Sequence, residues 1–579
     1  MNSAPPSADK EKVFLERNSA NFFQVSSEDF RKIPGSPIAY SASDNMRVAF
    51  SNPSLKEITV SEGQNKTADN DKYVRLGWEV RSQDIGRNQK WLTYAKGGDY
   101  RKWFGNLECV IDWSQTARQH YRQSSSCRII PEYLWFEPGI TWTLITWDQS
   151  FRYLPVDATF DMTGSSVFLK DPEQINSVLG FLNSKVSKCL TALMNPTLAL
   201  QIKNVRDLPV AFLPGQTAVN IVGRCLELSK LDYCSSEKSV EYRKFPLLCE
   251  ESLSYPTIES SYTAWITQNR DTIAEMKRLE EENNRLFIDA YGLGEELTPD
   301  VPIAQITLTV NPAYRYGDKL TIDEQWTRFR QDTMEELVSY AIGCMMGRYS
   351  LDAPGLIYAH SGNEDFDPSQ YTTFPADDDG IIPLTDTDWF ADDAVHRLVE
   401  FISVAWDESH LEDNLEFLAD NLAPKLGESS RDTIRRYLCD SFFKNHLQSY
   451  KKRPIYWLFS SGKQKAFQCL VYLHRYNEGT LARMRTEYVI PLSTKLNSYA
   501  ERLEQDRDAS TSAAETKRLE KQLSTLHKQQ TELAEFDEKL RHYADQRISL
   551  DLDDGVKVNY GKFGDLLAEV KAVIGEKQQ

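Results

Sequence analysis

ITLTVNPAYRYG, residues 306–317, runs five strand-favouring residues into Asn311-Pro312-Ala313-Tyr314. The alternation of apolar and β-branched positions predicts a strand, and Pro312 at the second place of the next four predicts a β-turn. For that strand to belong to the catalytic end of a wound α/β enzyme, the chain would also need a Gly-rich loop leaving a first strand to cradle a nucleotide-type cofactor. It contains no FxGxG, GxGxxG or DxGxG. Without that loop the stretch reads as a strand followed by a β-turn, and with the short β-rich runs and long helices elsewhere in the chain the fold class is α+β.

At 579 residues there is material for about three to four domains. An apolar fraction of 41% with 26% charged residues belongs to a globular chain. Nine cysteines lie scattered with no CxxC pair, which points to reduced thiols and away from a zinc site or a disulfide framework. MNSAPPSADKEK at the start has no apolar core behind it, and no apolar run approaches the ~18 residues that span a bilayer. A soluble, cytoplasmic protein with no membrane partner is expected. The net charge of −18 is unevenly placed: residues 1–215 hold 25 Lys and Arg against 23 Asp and Glu, the remainder 42 against 62. The N-terminal third can therefore carry a basic face, and binding DNA needs only a local cationic surface.

Along the chain, residues 1–60 read as a polar lead-in and connector ending in the turn-rich IPGSPIAY. Residues 61–215 alternate short β-rich runs (YVRLGWEV, LECVIDW, GITWTLITW, TFDMTGSSVFL) with turn residues, predicting a mainly antiparallel domain closed by a helix over 182–195. Residues 216–300 form a helical spacer whose long helix ends at Gly292 as a C′ glycine would. Residues 301–490 are mixed α/β, with helices around 323–347 and 392–421, IYWLFSS at 455–461, and a helix from 464 into the 480s that carries Cys469 and His474. Residues 491–579 read as two helices folding back on each other, broken at ASTSAAE, and then a tail with one turn and one short helix.

Four constellations could carry chemistry. VNPAY is one residue from the NPPY with which amino-methyltransferases hold a flipped base, but Ala313 replaces the proline that aims the second carbonyl. TADNDKYVRLGWEV (67–80) and KWLTYAKGGDYRKWFGN (90–106) interleave cations with aromatics around a Gly-Gly turn. Asn70, Lys72, Arg75, Lys96, Arg101, Lys102, Trp103 and Arg152 are the candidates for DNA contact, the cations on phosphates and Asn70 or an Arg on base edges. A solvated face with half-buried aromatics is the alternative. Asp377, Asp378, Asp379, Asp386, Asp388, Asp392 and Asp393 read as a solvated acidic loop, since neither a nuclease arrangement nor a Ca²⁺-loop spacing accompanies them. Eight histidines form no HExxH or HxH cluster. No catalytic, cofactor-binding or metal-ligating residue is therefore assigned.

GQNKTADNDKYVR, RKWFGN, MNPTLALQIKNVRDLPV, VNPAYRYG, SYAIGCMMGRYSLDAPGLIYA, KKRPIYWLFSSGKQKAFQCLVYLHRY and LDLDDGVKVNYGKF together resemble the C-terminal half of PglX. PglX is the adenine-specific DNA methyltransferase of BREX (bacteriophage exclusion) defence systems. The resemblance implies a β-rich target-recognition domain, then a helix-rich α/β region and a helical-hairpin C-terminus. It also implies that residues 70–210 face double-stranded DNA. The S-adenosylmethionine loop and a true NPPY would lie in a methyltransferase half outside this chain, with other BREX components as further partners. Ala68 departs from the glycine expected in the family's TGDN turn. A complete methyltransferase with an unrecognised cofactor loop, and a protein-interaction scaffold, are the rival readings.

Overall fold

The computed structural model describes residues 26–40, 42–211, 215–248 and 255–575, so the lead-in up to residue 25 lies outside it. The architecture is α+β as expected, built on three small sheets within a helical body. One sheet has the order β2 (Val74–Leu76), β4 (Cys109–Asp112), β3 (Trp91–Ala95), β7 (Ala158–Phe160), antiparallel except for the β3–β7 pair. The second runs β1 (Thr59–Val60), β8 (Ser166–Leu169), β5 (Gly139–Trp142), β6 (Phe151–Leu154), antiparallel throughout. The strands are short because Gly, Pro and Asp interrupt each apolar run. YVRLGWEV, for example, pairs only over Val74–Leu76 before Gly77–Glu79 turns into a 3₁₀ segment.

Helices α1 (Ile175–Leu182) and α2 (Lys185–Met194) close this region, α2 stopping before Pro196. Helices α3 (Gly215–Cys234) and α4 (Ile258–Ala290) pack against it. The end of α4 is a Schellman motif: Gly292 has φ +67°, its N–H donates to Asp289 O at 3.1 Å, and Leu293 N–H donates to Ile288 O at 2.9 Å.

The quoted stretch forms no strand. Ile306 and Leu308 are buried outside any ladder, and Pro312 opens α5 (Pro312–Tyr316) instead of a β-turn. Asn311 is its N-cap, accepting from Ala313 N–H at 3.2 Å, and proline at the first helical position loses no hydrogen bond. Next come α6 (Ile322–Met345), α7 (Ala394–Ala405), α8 (Leu411–Asp420) and α9 (Ser430–Tyr437). The third sheet follows the order β10 (Tyr456–Ser460), β11 (Gln468–Tyr472), β9 (Ile381–Pro383). β11 replaces the helix expected from residue 464, and Cys469 on it and His474 in the 3₁₀ turn that follows (Leu473–Arg475) are both fully buried. β11 is buried along its whole length, and a strand covered on both sides cannot be told from a buried helix by periodicity.

Helices α10 (Ile490–Ala509) and α11 (Ala513–Asp545) lie against each other through Leu496, Leu503, Leu519, Leu523 and Leu526, with the chain reversing at Ser510–Ser512. The tail has two short helices instead of one, Gly555–Gly561 and Val570–Ile574. It returns to the first sheet: Asp553 accepts from Trp91 Nε1 at 3.0 Å, and Val556 N–H donates to Glu79 at 2.9 Å.

Candidate nucleic-acid interface

Five of the eight side chains expected at DNA are turned inward. Arg101 pairs with Asp232 of α3 at 2.8 Å and donates to Phe104 O at 2.7 Å. Lys102 pairs with Glu280 of α4, which also accepts from Trp103 Nε1 at 2.8 Å. Burial works against the Lys102 charge and the Glu280 carboxylate more than offsets it, so its ammonium pKa is raised. Arg75 donates to Asp553 O at 3.0 and 2.8 Å and to Asp71 O at 2.7 Å. Arg152, 1% exposed, donates to Arg101 O at 3.0 Å and Thr143 Oγ1 at 3.3 Å. Burial, and then the neighbouring Arg101 charge, push Arg152 down to about 10.

The loop carrying these residues is bent to make this possible. Trp103 and Asn106 have φ +69° and +58°, and Gly105 has φ +128°. A side chain on Gly105 would lie 2.5 Å from Arg101 Nε. The quoted stretch completes the arrangement. Asp232 also accepts from Thr309 N–H at 2.8 Å and Val310 N–H at 3.1 Å, Lys102 N–H donates to Thr307 Oγ1 at 3.0 Å, and Tyr314 OH donates to Tyr100 O. RKWFGN and ITLTVNPAYRYG, some two hundred residues apart, are thus two sides of one seam, closed on Asp232 and Glu280. Nothing in the local sequence marked those two acids as partners.

Asn70, Lys72 and Lys96 stay near solvent. Asn70 and Lys72 are exposed on a one-turn helix, Asn70–Tyr73, capped by Asp69, which accepts from Lys72 N–H at 3.0 Å. Ala68, before that cap, has φ +59°, the left-handed region that glycine occupies without steric cost. Buried Asn65 steadies the loop through Thr159 Oγ1 at 2.7 Å, Phe160 O at 2.9 Å and Ile130 N–H at 3.0 Å. Lys96 is half-buried, 3.3 Å from Asp161, whose residue bridges Asn65.

Two cations missed in the sequence join them. Lys66 and Arg128 face each other across an antiparallel bridge, exchanging N–H···O bonds of 2.9 Å in both directions, and both side chains are exposed. Among the described residues neither has a carboxylate within ion-pair distance. Sixty-two positions separate them, so only the pairing brings them together.

Beyond Lys96 the chain turns at Gly97-Gly98, with φ +78° and +129°, and a side chain on Gly97 would meet Thr163 O at 2.8 Å. Around this tip Ile145, Trp147 and Leu198 are 68%, 74% and 64% exposed, and the Trp147 ring lies 5.2 Å from Tyr100. The end of the two-sheet region thus combines free cations, a short polar helix and a projecting apolar ridge.

The acidic loop is less solvated than expected. Asp393 is buried, caps α7 and pairs with Arg435 at 2.8 Å. Asp392 accepts from Tyr488 OH at 2.8 Å. Asp388, Asp393 and His396 can bring ligand atoms close together, but the pairing of both acids with Arg435 occupies them. No helix among the described residues is long and apolar enough to cross a membrane.

No protein-family model matches the chain. It is 42% identical over 567 residues to the adenine-specific methyltransferase BrxX of Escherichia coli O9:H4 (strain HS), an alignment covering 94% of the chain. It is 35% identical over 580 residues to the adenine-specific methyltransferase PglX of Lacticaseibacillus casei (strain Zhang), covering 96%. The chain is homologous to both along nearly its whole length. It spans 46% of each relative, a little under half.

Proposed function

We propose that the chain is the DNA sequence-recognition part of a BREX-type, site-specific N6-adenine methyltransferase used in phage defence. In this reading it corresponds to the C-terminal half of such an enzyme. It selects a site on duplex DNA in the cytoplasm and presents an adenine to a methyltransferase half that binds S-adenosylmethionine. Homology to adenine-specific methyltransferases of about twice its length supports the family. The described sheets support the division of labour: they are antiparallel but for one pair, whereas a cofactor domain of this class needs a wound parallel sheet.

The observation that carries DNA binding is the Lys66–Arg128 pair. Like charges directly opposite on a ladder destabilise it, so two exposed cations held face to face form a site awaiting phosphate. Lys72 and Lys96 extend it and Asn70 is placed to read a base edge, while Arg75, Arg101, Lys102, Trp103 and Arg152 hold the surface from behind. Fluorescence anisotropy on duplex DNA across a salt series tests this. The double variant Lys66→Ala/Arg128→Ala should flatten the log–log salt slope by about 2, from two lost phosphate contacts. An unchanged slope removes the pair from the interface, and no DNA binding at all favours the scaffold reading. Calorimetry with S-adenosylmethionine tests the other half: micromolar binding by this chain would make it a complete methyltransferase.

A further inference from the structure

Where the turn after α3, helix α6 and the helix Phe443–Ser449 converge, there is a cavity of about 290 Å³. A second, of about 280 Å³, adjoins it through the shared residues Glu237, Arg315, Glu336 and Ser449. The compartments differ in chemistry. The first is lined by Glu237, Asp332, Glu335 and Glu336 against Arg315 and Arg328. Asp332 meets Arg315 at 3.1 Å and Arg328 at 2.9 Å, and Glu336 meets Arg315 at 2.8 Å. The second is walled by the stacked rings of Trp265 and Phe329, 5.6 Å apart, with Tyr314 beside them and Lys238 among the lining residues. By formal charge the lining holds four acids against Arg315, Arg328 and Lys238, and the buried Arg348 acts on Glu237 from behind the wall.

Two side chains on the cavity wall each keep one buried polar atom without a partner. Glu237 uses Oε1 to accept from Ser339 Oγ at 2.8 Å, while its Oε2 is shut off from solvent and bonds to nothing. His446 is 3% exposed, and its Nε2 accepts from the N–H groups of Ile455 and Tyr456, so Nδ1 carries the hydrogen and finds no acceptor. An unsatisfied buried carboxylate oxygen is costly, and such groups mark places where a ligand or ordered water completes the set. A carboxylate on one side and aromatic faces on the other is also the arrangement that holds an organic cation.

We propose that this two-compartment cavity binds a small amphipathic monocation, its ammonium or guanidinium head on Glu237 and its apolar body against Trp265 and Phe329. The site is separate from the DNA-facing surface and independent of that reading. It borders the seam, since Thr309, Val310 and Tyr314 also line the second compartment.

The test is isothermal titration of the whole chain with 2-phenylethylamine, and with neutral 2-phenylethanol at matched ionic strength. One saturable site is expected for the amine, with the alcohol at least tenfold weaker. Glu237→Gln should weaken the amine at least tenfold, and Ser449→Phe, at an exposed position lining both compartments, should abolish binding by plugging the cavity. Thermal melts without ligand should show both variants folded, each with one cooperative transition. The proposal is overturned if amine and alcohol bind alike, if the amine occupies only many weak sites that salt removes, or if a folded variant of either kind binds as the parent does. Absence of amine binding would leave water as the occupant and equally overturn it.

Discussion

Lys102 and Glu280 show how little a residue's type says about its surroundings. The ammonium that composition placed on a phosphate is 7% exposed and shares its carboxylate with the Trp103 indole. Removing one member of a buried pair strands the other, which typically costs about 3–5 kcal/mol. Glu280→Gln should therefore lower the unfolding free energy by that order in urea titrations while leaving the DNA salt slope intact. A changed slope with unchanged stability would return Lys102 to the interface. Asp379 gives a second case. Burial, and then the Asp377 side chain, push its carboxyl from an ordinary 3.8 up to about 8. The folded state thus keeps a proton that the unfolded chain releases, and stability falls as pH rises from about 4 to 8. Asp379→Asn should remove that loss. The melting-temperature gap between variant and parent should widen across this window and then level off, and a gap independent of pH would refute the assignment.

At the scale of elements, apolar periodicity located most segments, and turn chemistry located their ends. The helix closing at Gly292, the stop before Pro196 and the reversal between α10 and α11 were all legible because local backbone preference decides them. β11 was not, because burial on both faces erases the period that separates strand from helix. The stretch 306–310 has a strand's period, but its Thr309 and Val310 N–H groups donate to the Asp232 carboxylate instead of a neighbouring strand. The β3–β7 pair is also invisible locally, although one glycine guards it. A side chain on Gly164 would sit 2.2 Å from Ala95 O, which accepts the Asp161 N–H at 3.0 Å. Gly164→Ala should cost about 3 kcal/mol through overpacking and speed hydrogen exchange at the Asp161 amide. Protection equal to the parent's would show that the turn absorbs the methyl group.

The whole molecule is held together by contacts between regions far apart in the chain. One main core runs from Ala49 to Val573, and the tail closes on the first sheet through Asp553. That residue takes Arg75 on its backbone carbonyl and Lys90 and Trp91 on its carboxylate, at 2.5 and 3.0 Å. Asp553→Ala should destabilise by about 1–2 kcal/mol, since its charged hydrogen bonds are half-exposed. DNA affinity should change little, because Arg75 keeps its carbonyl acceptor. A large fall in affinity with unchanged stability would mean that the tail itself touches DNA.

By itself the sequence determined the α+β class, the positions of most elements, the neutral N-terminal third within an acidic chain, and the absence of a Gly-rich cofactor loop. Each follows from composition, spacing or the φ/ψ needs of single residues, all of them local properties. Only the tertiary structure decided which cations face solvent. It placed Lys66 opposite Arg128 and buried Arg101 and Lys102 on acids more than a hundred residues away. It also turned NPAY from a strand and turn into the capped helix at the seam. Partners at such separations are chosen by the packing of whole elements, and no window of neighbouring residues contains that information.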